Sequence, residues 1–409
     1  MVVSAMSSPP RSHDRMPASV KKLRAMEGPS SVAASDVTVT PVQSTADREA
    51  FIRFPYGLYA NDPNWVPPLE MERKDFLNPK KNPWFEFGNA ELFLARRNGQ
   101  VVGRIAAVDD PHWNDFYKSR TGFFGMFESI DDPAVAKGLF DAAAAWVKAQ
   151  GFPEMMGPFN FSTNYECAVL VEGFESPPAI MMAYNPRYYD ALYAGAGFTK
   201  AKDLWAYDLS SSVPPPEKVV RIAEKIRQRE GIVVRSIRME NFADEVKRVK
   251  DIYNAAWEDN WGFVPMTEHE FDHMAKEMKA IIRPELVLIA EVKGEPVAFS
   301  MTIPDANYAL KAAGGRLTKY GLPIGLLKLL LASRRIRRLR LITLGIKEGF
   351  RKRGIDAVLY LETITTAKKL GYTGGEISWT LEDNHLVNRA IEMMGGKKTK
   401  TYRIYKRSV

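Results

Sequence analysis

The sequence predicts an α/β protein made of two domains of the same fold, and three observations carry this prediction. The chain has 409 residues, which is more than one hydrophobic core usually serves. Stretches in which every second residue is apolar, typical of strands, alternate along the chain with stretches whose apolar residues have helical spacing. One order of elements also occurs twice: strand, tight turn, strand, strand, helix, strand, helix, glycine stop and closing strand.

The first repeat follows a segment without strand or helix periodicity. Residues 1–42 are rich in Ser, Pro and Ala and lack the apolar core of a signal peptide, so we expect a disordered tail. The first domain is expected over residues 43–210. Within it, Asn98-Gly99 is a typical hairpin turn, and Asp131-Asp132-Pro133 is a typical helix start.

A linker rich in Ser and Pro, residues 211–217, separates the two repeats. The second domain is expected over residues 218–409, with its own hairpin turning at Lys293-Gly294. It carries an insertion that the first domain lacks, residues 306–340, which is rich in Lys and Arg and has no acidic residue.

This insertion allows two interpretations. A helix drawn through residues 322–340 places Leu322 and Leu326 on one stripe and Arg334 and Arg335 away from it. Such a basic amphipathic helix can lie in the interface of an anionic membrane. The same pattern fits a helix that covers a sheet edge and keeps its arginines in water. The additional leucines of the segment favour a lipid or acyl-chain role.

Composition narrows the class of protein. The net charge of +8 favours anionic partners such as phosphates, lipid head groups or RNA. The single cysteine, Cys167, excludes an intramolecular disulfide and fits the cytosol, so we expect a cytoplasmic protein that can also act at the inner face of the membrane. No histidine has ligand spacing with Cys167, so no metal is expected. The sequence contains no apolar run of about 18 residues or more, so no membrane span is expected.

One stretch, residues 341–356, predicts a binding site. It is expected to form an apolar strand, a basic loop containing glycine, and a helix that starts at Ile355. The N–H groups of a helix N-terminus and nearby Arg and Lys side chains bind anions well. The alternative is an ordinary strand-to-helix turn with a solvated basic rim.

This stretch resembles the acyl-CoA site of the GNAT superfamily, the amine N-acetyltransferases. Their signature, Arg/Gln-x-x-Gly-x-Gly/Ala, is matched by Arg351, Gly354 and Ile355, while Asp356 stands where the second small residue is expected. Asn384 and Gly395 have the spacing of the family's next helix motif. The resemblance implies a tandem form with two GNAT-like domains, each a mixed, mostly antiparallel twisted sheet flanked by helices. It also implies an acyl-CoA donor.

The resemblance assigns roles to residues of the second domain. The backbone of a strand would pair with the pantetheine arm, and a basic loop would hold the pyrophosphate at the helix N-terminus. The cofactor-binding residues implied are Leu344, Ile346, Arg351, Lys352, Arg353, Gly354, Ile355, Asp356 and Asn384. The carboxylate of Asp356 would stand beside the pyrophosphate unless it caps the helix, so an acyl carrier protein, which has one phosphate, is an alternative donor.

The catalytic groups are less clearly marked. The position that holds a Tyr acid in many relatives is Ile391 here. The candidate bases, chosen because they lie near predicted strand ends, are Asp305, Glu376, Glu382 and His385. Each of these also fits an ordinary surface or capping group.

The first domain is expected to lack a donor site. Glu128 and Asp131-Asp132 stand where the second domain has its basic loop, and carboxylates would repel a pyrophosphate. This domain is therefore expected to form a wall of the acceptor cleft. The aromatic candidates for that wall, each of which also fits a core position, are Trp65, Trp84, Trp113 and Tyr165, together with Trp257, Trp261 and Phe263 of the second domain.

Three functions follow from the resemblance. The first is an acyl-CoA-dependent N-acyltransferase acting on an amine acceptor; the tandem form with a basic insertion resembles the bacterial ceramide synthases, which implies a long-chain, lipid-like amine. The second is an aminoacyl-tRNA-dependent transferase of tandem GNAT type. Its support is the basic insertion alone, so nucleic acid is not an expected partner. The third is a non-catalytic protein that binds acyl-CoA or a membrane.

Overall fold

The computed structural model describes residues 37–257 and 260–409. Its strands are β1 Thr38–Pro41, β2 Asn89–Arg97, β3 Gln100–Asp109, β4 Thr121–Ser129, β5 Glu154–Gly157, β6 Val169–Glu172, β7 Thr199–Ser210, β8 Ile232–Ser236, β9 Val287–Val292, β10 Glu295–Pro304, β11 Arg338–Ile346, β12 Gly374–Leu381 and β13 Lys397–Ser408. Its α-helices are α1 Thr45–Leu58, α2 Glu70–Phe76, α3 Pro111–Tyr117, α4 Pro133–Ala149, α5 Tyr189–Gly195, α6 Glu217–Glu230, α7 Phe242–Trp257, α8 Glu268–Met278, α9 Asn307–Ala313, α10 Ile324–Ser333, α11 Ile355–Lys369 and α12 His385–Met393.

The thirteen strands of the described residues form one sheet. Their order is β1-β2-β3-β4-β5-β13-β7-β12-β11-β10-β9-β8, and β6 pairs with β13 beside this path. Counted inward from the two edges, β1 to β5 of the first half occupy the same places as β8 to β12 of the second half. Among the described strands, the only parallel neighbours are β4 with β5 and β11 with β12. The sheet is therefore mixed and mostly antiparallel, and the sequence repeat is an architectural repeat.

The two halves exchange their closing strands. The strand β13, from the second half, lies between β5 and β7, and β7, from the first half, lies between β13 and β12. These two strands pair with each other from Lys397 opposite Asp208 to Lys406 opposite Thr199. The boundary at residues 211–217 stays a prediction, and backbone hydrogen bonds of one sheet join the strands on its two sides.

Matching tight turns set the register of the outer strands in both halves. Asn98 and Gly99 have φ angles of 51° and 77°, and Lys293 and Gly294 have φ angles of 52° and 82°. Two successive residues with positive φ form the hairpin turn whose twist suits paired strands. The two predicted hairpins are present.

Two segments differ from the sequence-based expectation. The predicted tail, residues 1–42, lies outside the described residues as far as residue 36. Within its remainder Thr38–Pro41 forms β1, because it pairs with β2 and packs Val39 with the buried apolar residues of α4. The predicted long helix over residues 322–340 is wrong. The helix α10 ends at Ser333, and Leu339 and Arg340 belong to β11, where they pair with Pro304 and Ile303.

Helices cover both faces of the second half of the sheet. Leu288 and Ala290 of β9 point to one face and pack with residues of α6 and α11. Val287 and Ile289, which alternate with them, point to the other face and pack with α7. A ligand that passes between two strands of this half therefore runs from the α11 side to the α7 side.

Candidate active site

The two parallel strands of the second half separate partway along their length. Pairing between β11 and β12 covers only Arg338–Leu341 and Gly374–Ile377. Beyond these residues the strands diverge, and the edge of β11 from Thr343 to Ile346 faces an open wedge. A cavity of about 830 Å³ occupies this wedge and is lined by both strands.

The basic loop after β11 forms one end of the cavity. Lys352 and Gly354 have φ angles of 61° and 78°, and this backbone form turns successive N–H groups toward one side. Gly354 precedes α11 and provides no side-chain cap, so the first N–H groups of the helix stay available to an anion. The φ angle of Gly354 favours glycine, and a Cβ there would also lie 2.4 Å from Ile226 Cδ1, so that side chain would have to move.

Most of the predicted cofactor-binding residues meet on this wall. They are Leu344, Ile346, Arg351, Lys352, Gly354, Asp356 and Asn384. Asp356 therefore stands on the cavity wall, while Asn384 also caps α12 by accepting from the Val387 N–H at 3.4 Å. Their function in binding stays a prediction, but the fold brings them together.

Two predicted cofactor-binding residues lie elsewhere. The guanidinium of Arg353 lies 3.5 Å from a carboxylate oxygen of Glu230 and covers the ring of Phe350. Ile355 is fully buried in the core between the sheet and α11. Neither belongs to the cavity wall, because the loop and the first helical turn point these two side chains away from it.

Arg351 joins the loop to its neighbours. Its Nη2 donates to the carbonyl of Ala256 at 2.9 Å, and its Nε donates to the carbonyl of Ile346 at 3.4 Å. These contacts tie the loop to the last turn of α7 and to the end of β11. Arg351 thus shapes the site in addition to contributing positive charge.

A large apolar lobe extends the cavity under α7 and α8, and the sequence reading did not identify it. Its walls include Phe242, Val246, Val249, Phe271, Met274 and Met278 from the two helices, and Val287, Phe299 and Met301 from the sheet. Methionine side chains adapt to flexible apolar ligands. The run of Met266, Met274 and Met278 was the available signal, but it fits a core equally well.

A buried cation marks the inner end of the wedge. Arg340 donates to Ser378 Oγ at 3.0 Å, to the Ser378 carbonyl at 3.2 Å and to the Ile180 carbonyl at 2.6 Å. Ser378 Oγ in turn donates to Glu376 at 2.6 Å. Burial lowers the pKa of Arg340, while the negative charge of Glu376 opposes this effect. The contact with Ile180 also fixes a first-half loop against the cavity.

The four predicted catalytic residues lie outside the cavity wall. Glu382 accepts from Lys200 Nζ at 2.6 Å and from the Asp203 N–H at 3.0 Å, and His385 is exposed at the start of α12. Glu376 accepts from Ser378 Oγ, and Asp305 accepts from the N–H groups of Ile180 and Asn307. A catalytic role for these four residues stays a prediction.

Asp305 should make folding stability depend on pH. Burial raises its pKa to about 6 from an ordinary value of 3.8, so the folded protein holds a proton that the unfolded chain releases. Stability should fall as the pH rises from about 4 to about 6, by up to about 3 kcal/mol, since one pKa unit corresponds to about 1.4 kcal/mol. The free energy of unfolding, measured with urea at pH about 4 and about 6, should show this loss in the wild type and not in Asp305→Asn. An equal pH dependence in the two proteins would contradict the assignment.

The aromatic candidates divide into wall and core. Tyr165, Trp261 and Phe263 lie on the cavity wall. Trp84 and Trp113 are buried in a hydrophobic core, Trp65 stacks on Tyr59, and the side chain of Trp257 lies outside the described part of the chain. The first half thus contributes Tyr165 to the cavity, together with Thr163, Asn164 and Met181.

The corresponding wedge of the first half is filled by the chain itself. The strands β4 and β5 also separate after a short parallel pairing, Thr121–Phe123 with Glu154–Met156. The Phe159 N–H donates to the Phe124 carbonyl at 2.7 Å, and Asn160 Oδ1 accepts from the Met126 N–H at 2.9 Å. These contacts satisfy the open edge of β4, which leaves no room for a ligand arm there.

The helix N-terminus of the first half is also occupied. Asp132 accepts from the N–H groups of Ala134 and Val135, and Arg97 donates to its carboxylate at 2.6 Å. Glu128 is partly buried, and desolvation raises its pKa; it accepts from Tyr59 and Tyr189 at 2.7 Å each. Only the second of the two described wedges is therefore open to a donor.

Comparison with known proteins identifies relatives along nearly the whole chain. No family model matches the sequence. The chain is 38% identical over 385 residues to bacterial ceramide synthase of Caulobacter vibrioides, and the aligned region covers 92% of this chain and 98% of that protein. It is 35% identical over 370 residues to Protein YghO of Escherichia coli, with 89% and 93% covered.

Solved structures show the same fold. A tandem GNAT protein from the clavulanic acid biosynthesis pathway superposes with a TM-score of 0.52 at 10% identity, covering 91% of this chain and 98% of that chain. The fold and the relatives together support an N-acyltransferase. The chain belongs to the family that includes bacterial ceramide synthase and Protein YghO, and its fold is that of a tandem GNAT protein.

Proposed function

We propose that this protein is an acyl-CoA-dependent N-acyltransferase whose acceptor is a long-chain, lipid-like amine. One observation carries the proposal: a single cavity runs from the basic loop at Arg351–Asp356, through the wedge between β11 and β12, into the apolar lobe under α7 and α8. Its polar end suits a phosphate-bearing carrier, and its apolar end suits a long acyl chain or the chain of a lipid-like acceptor.

The residues at the polar end fit the donor. Lys352 and Arg351 supply positive charge on the cavity wall, and the first N–H groups of α11, which no side chain caps, can bind a pyrophosphate. The open edge of β11 can pair with an extended pantetheine arm by adding it as a strand. A strand N–H near Ile346 can also donate to the thioester oxygen as it gains negative charge.

The acceptor amine must lose a proton before it attacks. The four predicted bases lie off the cavity wall, so each requires rearrangement or a proton path through neighbouring groups. Tyr165 on the wall donates to the buried carboxylate of Glu270 at 3.4 Å, and burial raises the pKa of Glu270. This pair is an additional candidate for carrying a proton away from the cavity.

The apolar lobe argues for a long chain. A cavity of about 830 Å³ lies in the upper part of the range of about 300–1,000 Å³ that is usual for small-molecule sites, and an acetyl group would leave the lobe empty. The similarity to a protein called bacterial ceramide synthase points the same way. The sphingolipid substrate class is inferred for this chain on these two grounds.

The first test is calorimetric titration of the protein with CoA, acetyl-CoA and palmitoyl-CoA. We expect all three to bind and palmitoyl-CoA to bind at least about tenfold more tightly than acetyl-CoA, because each buried methylene contributes about 0.8 kcal/mol. Equal affinity for the two thioesters would contradict the long-chain assignment. If none of the three bound while an acyl carrier protein did, the donor would be the carrier protein.

A further inference from the structure

The insertion of the second half exposes an unusual number of large apolar side chains. We define the leucine patch as Tyr320, Leu322, Leu326, Leu327, Leu330 and Leu331. Tyr320 is 88% exposed, and Leu327 and Leu331 are 56% and 61% exposed. Leu327, Leu330 and Leu331 have helical spacing and share the outward face of α10. Contiguous exposed apolar surface of this kind usually marks an interaction site.

The patch is held in place by the protein beneath it. Tyr320 and Gly321, with φ angles of 53° and 76°, form a tight turn that is closed by hydrogen bonds between Lys319 and Leu322. A Cβ at Gly325 would lie 1.7 Å from the Arg316 carbonyl oxygen, so α10 packs directly on the preceding segment. The segment is in turn anchored to the first half, because Arg316 Nε donates to Glu70 at 2.6 Å.

Exposed cations border the patch. Lys319 and Lys328 lie within the segment, and Arg334, Arg335 and Arg337 follow α10; all five are exposed. The insertion has no acidic residue that would neutralise them. By contrast, Arg316 and Arg338 are paired with Glu70 and Asp208. The surface therefore combines an apolar centre with a positive rim.

We propose that the leucine patch and its basic rim dock the protein on an anionic lipid bilayer. The apolar side chains would enter the boundary between head groups and acyl chains, and the cations would lie among anionic head groups. Tyrosine at the tip of the turn suits this boundary, because it has an apolar ring and a polar end. No described helix has the length and apolar character needed to cross a bilayer.

A second copy of the chain is a less suitable occupant. In a symmetric self-contact the same patch lies on both sides, and the two basic rims would face each other. Like charges placed together across an interface oppose association. An anionic bilayer neutralises the rim instead. The proposal concerns a surface outside the cavity and does not depend on the proposed donor.

The test is co-sedimentation of the full-length protein with two kinds of vesicle. One contains phosphatidylcholine alone, and the other contains phosphatidylcholine mixed with phosphatidylglycerol, whose negative charge attracts basic surfaces. We expect binding to the anionic vesicles at least about tenfold above the neutral ones, and a loss on raising the salt to about 0.5 M. A double change, Leu327→Ser with Leu331→Ser, should lower binding at least about tenfold. Arg334→Glu with Arg335→Glu should do the same.

The matched control changes exposed apolar residues outside the patch. Ile222 on α6 and Val233 on β8 are 45% and 59% exposed, and their change to Ser should leave vesicle binding within about twofold. Equal binding of wild type and both patch variants would overturn the proposal. So would a wild-type dimer without lipid that either patch variant converts to a monomer, because the patch would then be a subunit interface. CoA titration of each variant separates these outcomes from a failure of the donor site.

Discussion

Lys352→Asn should weaken CoA binding about 10- to 100-fold, whereas Arg353→Asn should leave it within about twofold. Both changes remove one positive charge from the same loop, but Lys352 lies on the cavity wall and Arg353 is turned toward Glu230. A charge-assisted contact contributes about 1.5–3 kcal/mol, which corresponds to the expected range. Calorimetric titration with CoA measures both variants.

Asparagine is the suitable replacement because of the backbone at this position. Lys352 has a φ angle of 61°, and asparagine tolerates this left-handed form better than most residues. A lower melting temperature for Lys352→Asn alone would show that the loop had moved, and the affinity change would then not report the contact. Equal losses for Lys352→Asn and Arg353→Asn would show that the cavity does not distinguish the two cations.

Met274→Trp should sharply lower the preference of the protein for long-chain donors. Met274 lines the apolar lobe, and a larger side chain there would exclude the distal part of a palmitoyl chain. Loss of about four buried methylenes costs about 3 kcal/mol, so palmitoyl-CoA should bind about 100-fold more weakly. Binding of acetyl-CoA and CoA should stay within about twofold, because the basic loop is unchanged.

Two further variants make this result interpretable. Ile222→Trp adds the same bulk to a half-exposed site on α6 and should change neither affinity. Larger side chains at packed positions often destabilise the fold. Met274→Phe adds less volume than Met274→Trp and serves as the second variant if Met274→Trp does not fold. If palmitoyl-CoA affinity were unchanged in both Met274 variants while the fold was intact, the lobe would not hold the acyl chain.

The sequence predicted the local backbone structure of the candidate site. The strand, the basic loop and the helix start at Ile355 follow from hydrophobic period and glycine position, which are local properties. The two hairpin turns at Asn98-Gly99 and Lys293-Gly294 follow from residues that accept positive φ. Each of these features is determined by a few neighbouring residues.

The sequence does not show in which direction each side chain points. Lys352 and Arg353 are adjacent and equally basic, yet one lines the cavity and the other pairs with Glu230. Asp305 and Glu376 were predicted from their place at strand ends, but they satisfy buried donors of the Ile180 loop and of Ser378. Side-chain direction depends on packing, which periodicity does not record.

The repeat, the acidic character of the first helix start and the basic loop of the second half can all be recognised in the residues alone. The open wedge cannot, because it depends on Phe159 filling the wedge of the first half and on α7 and α8 lining a lobe beyond the wedge of the second. The exchange of β7 and β13 between the halves likewise appears only in the folded chain. Strand pairing and cavity walls join residues that are far apart in the sequence, and no local pattern specifies such contacts.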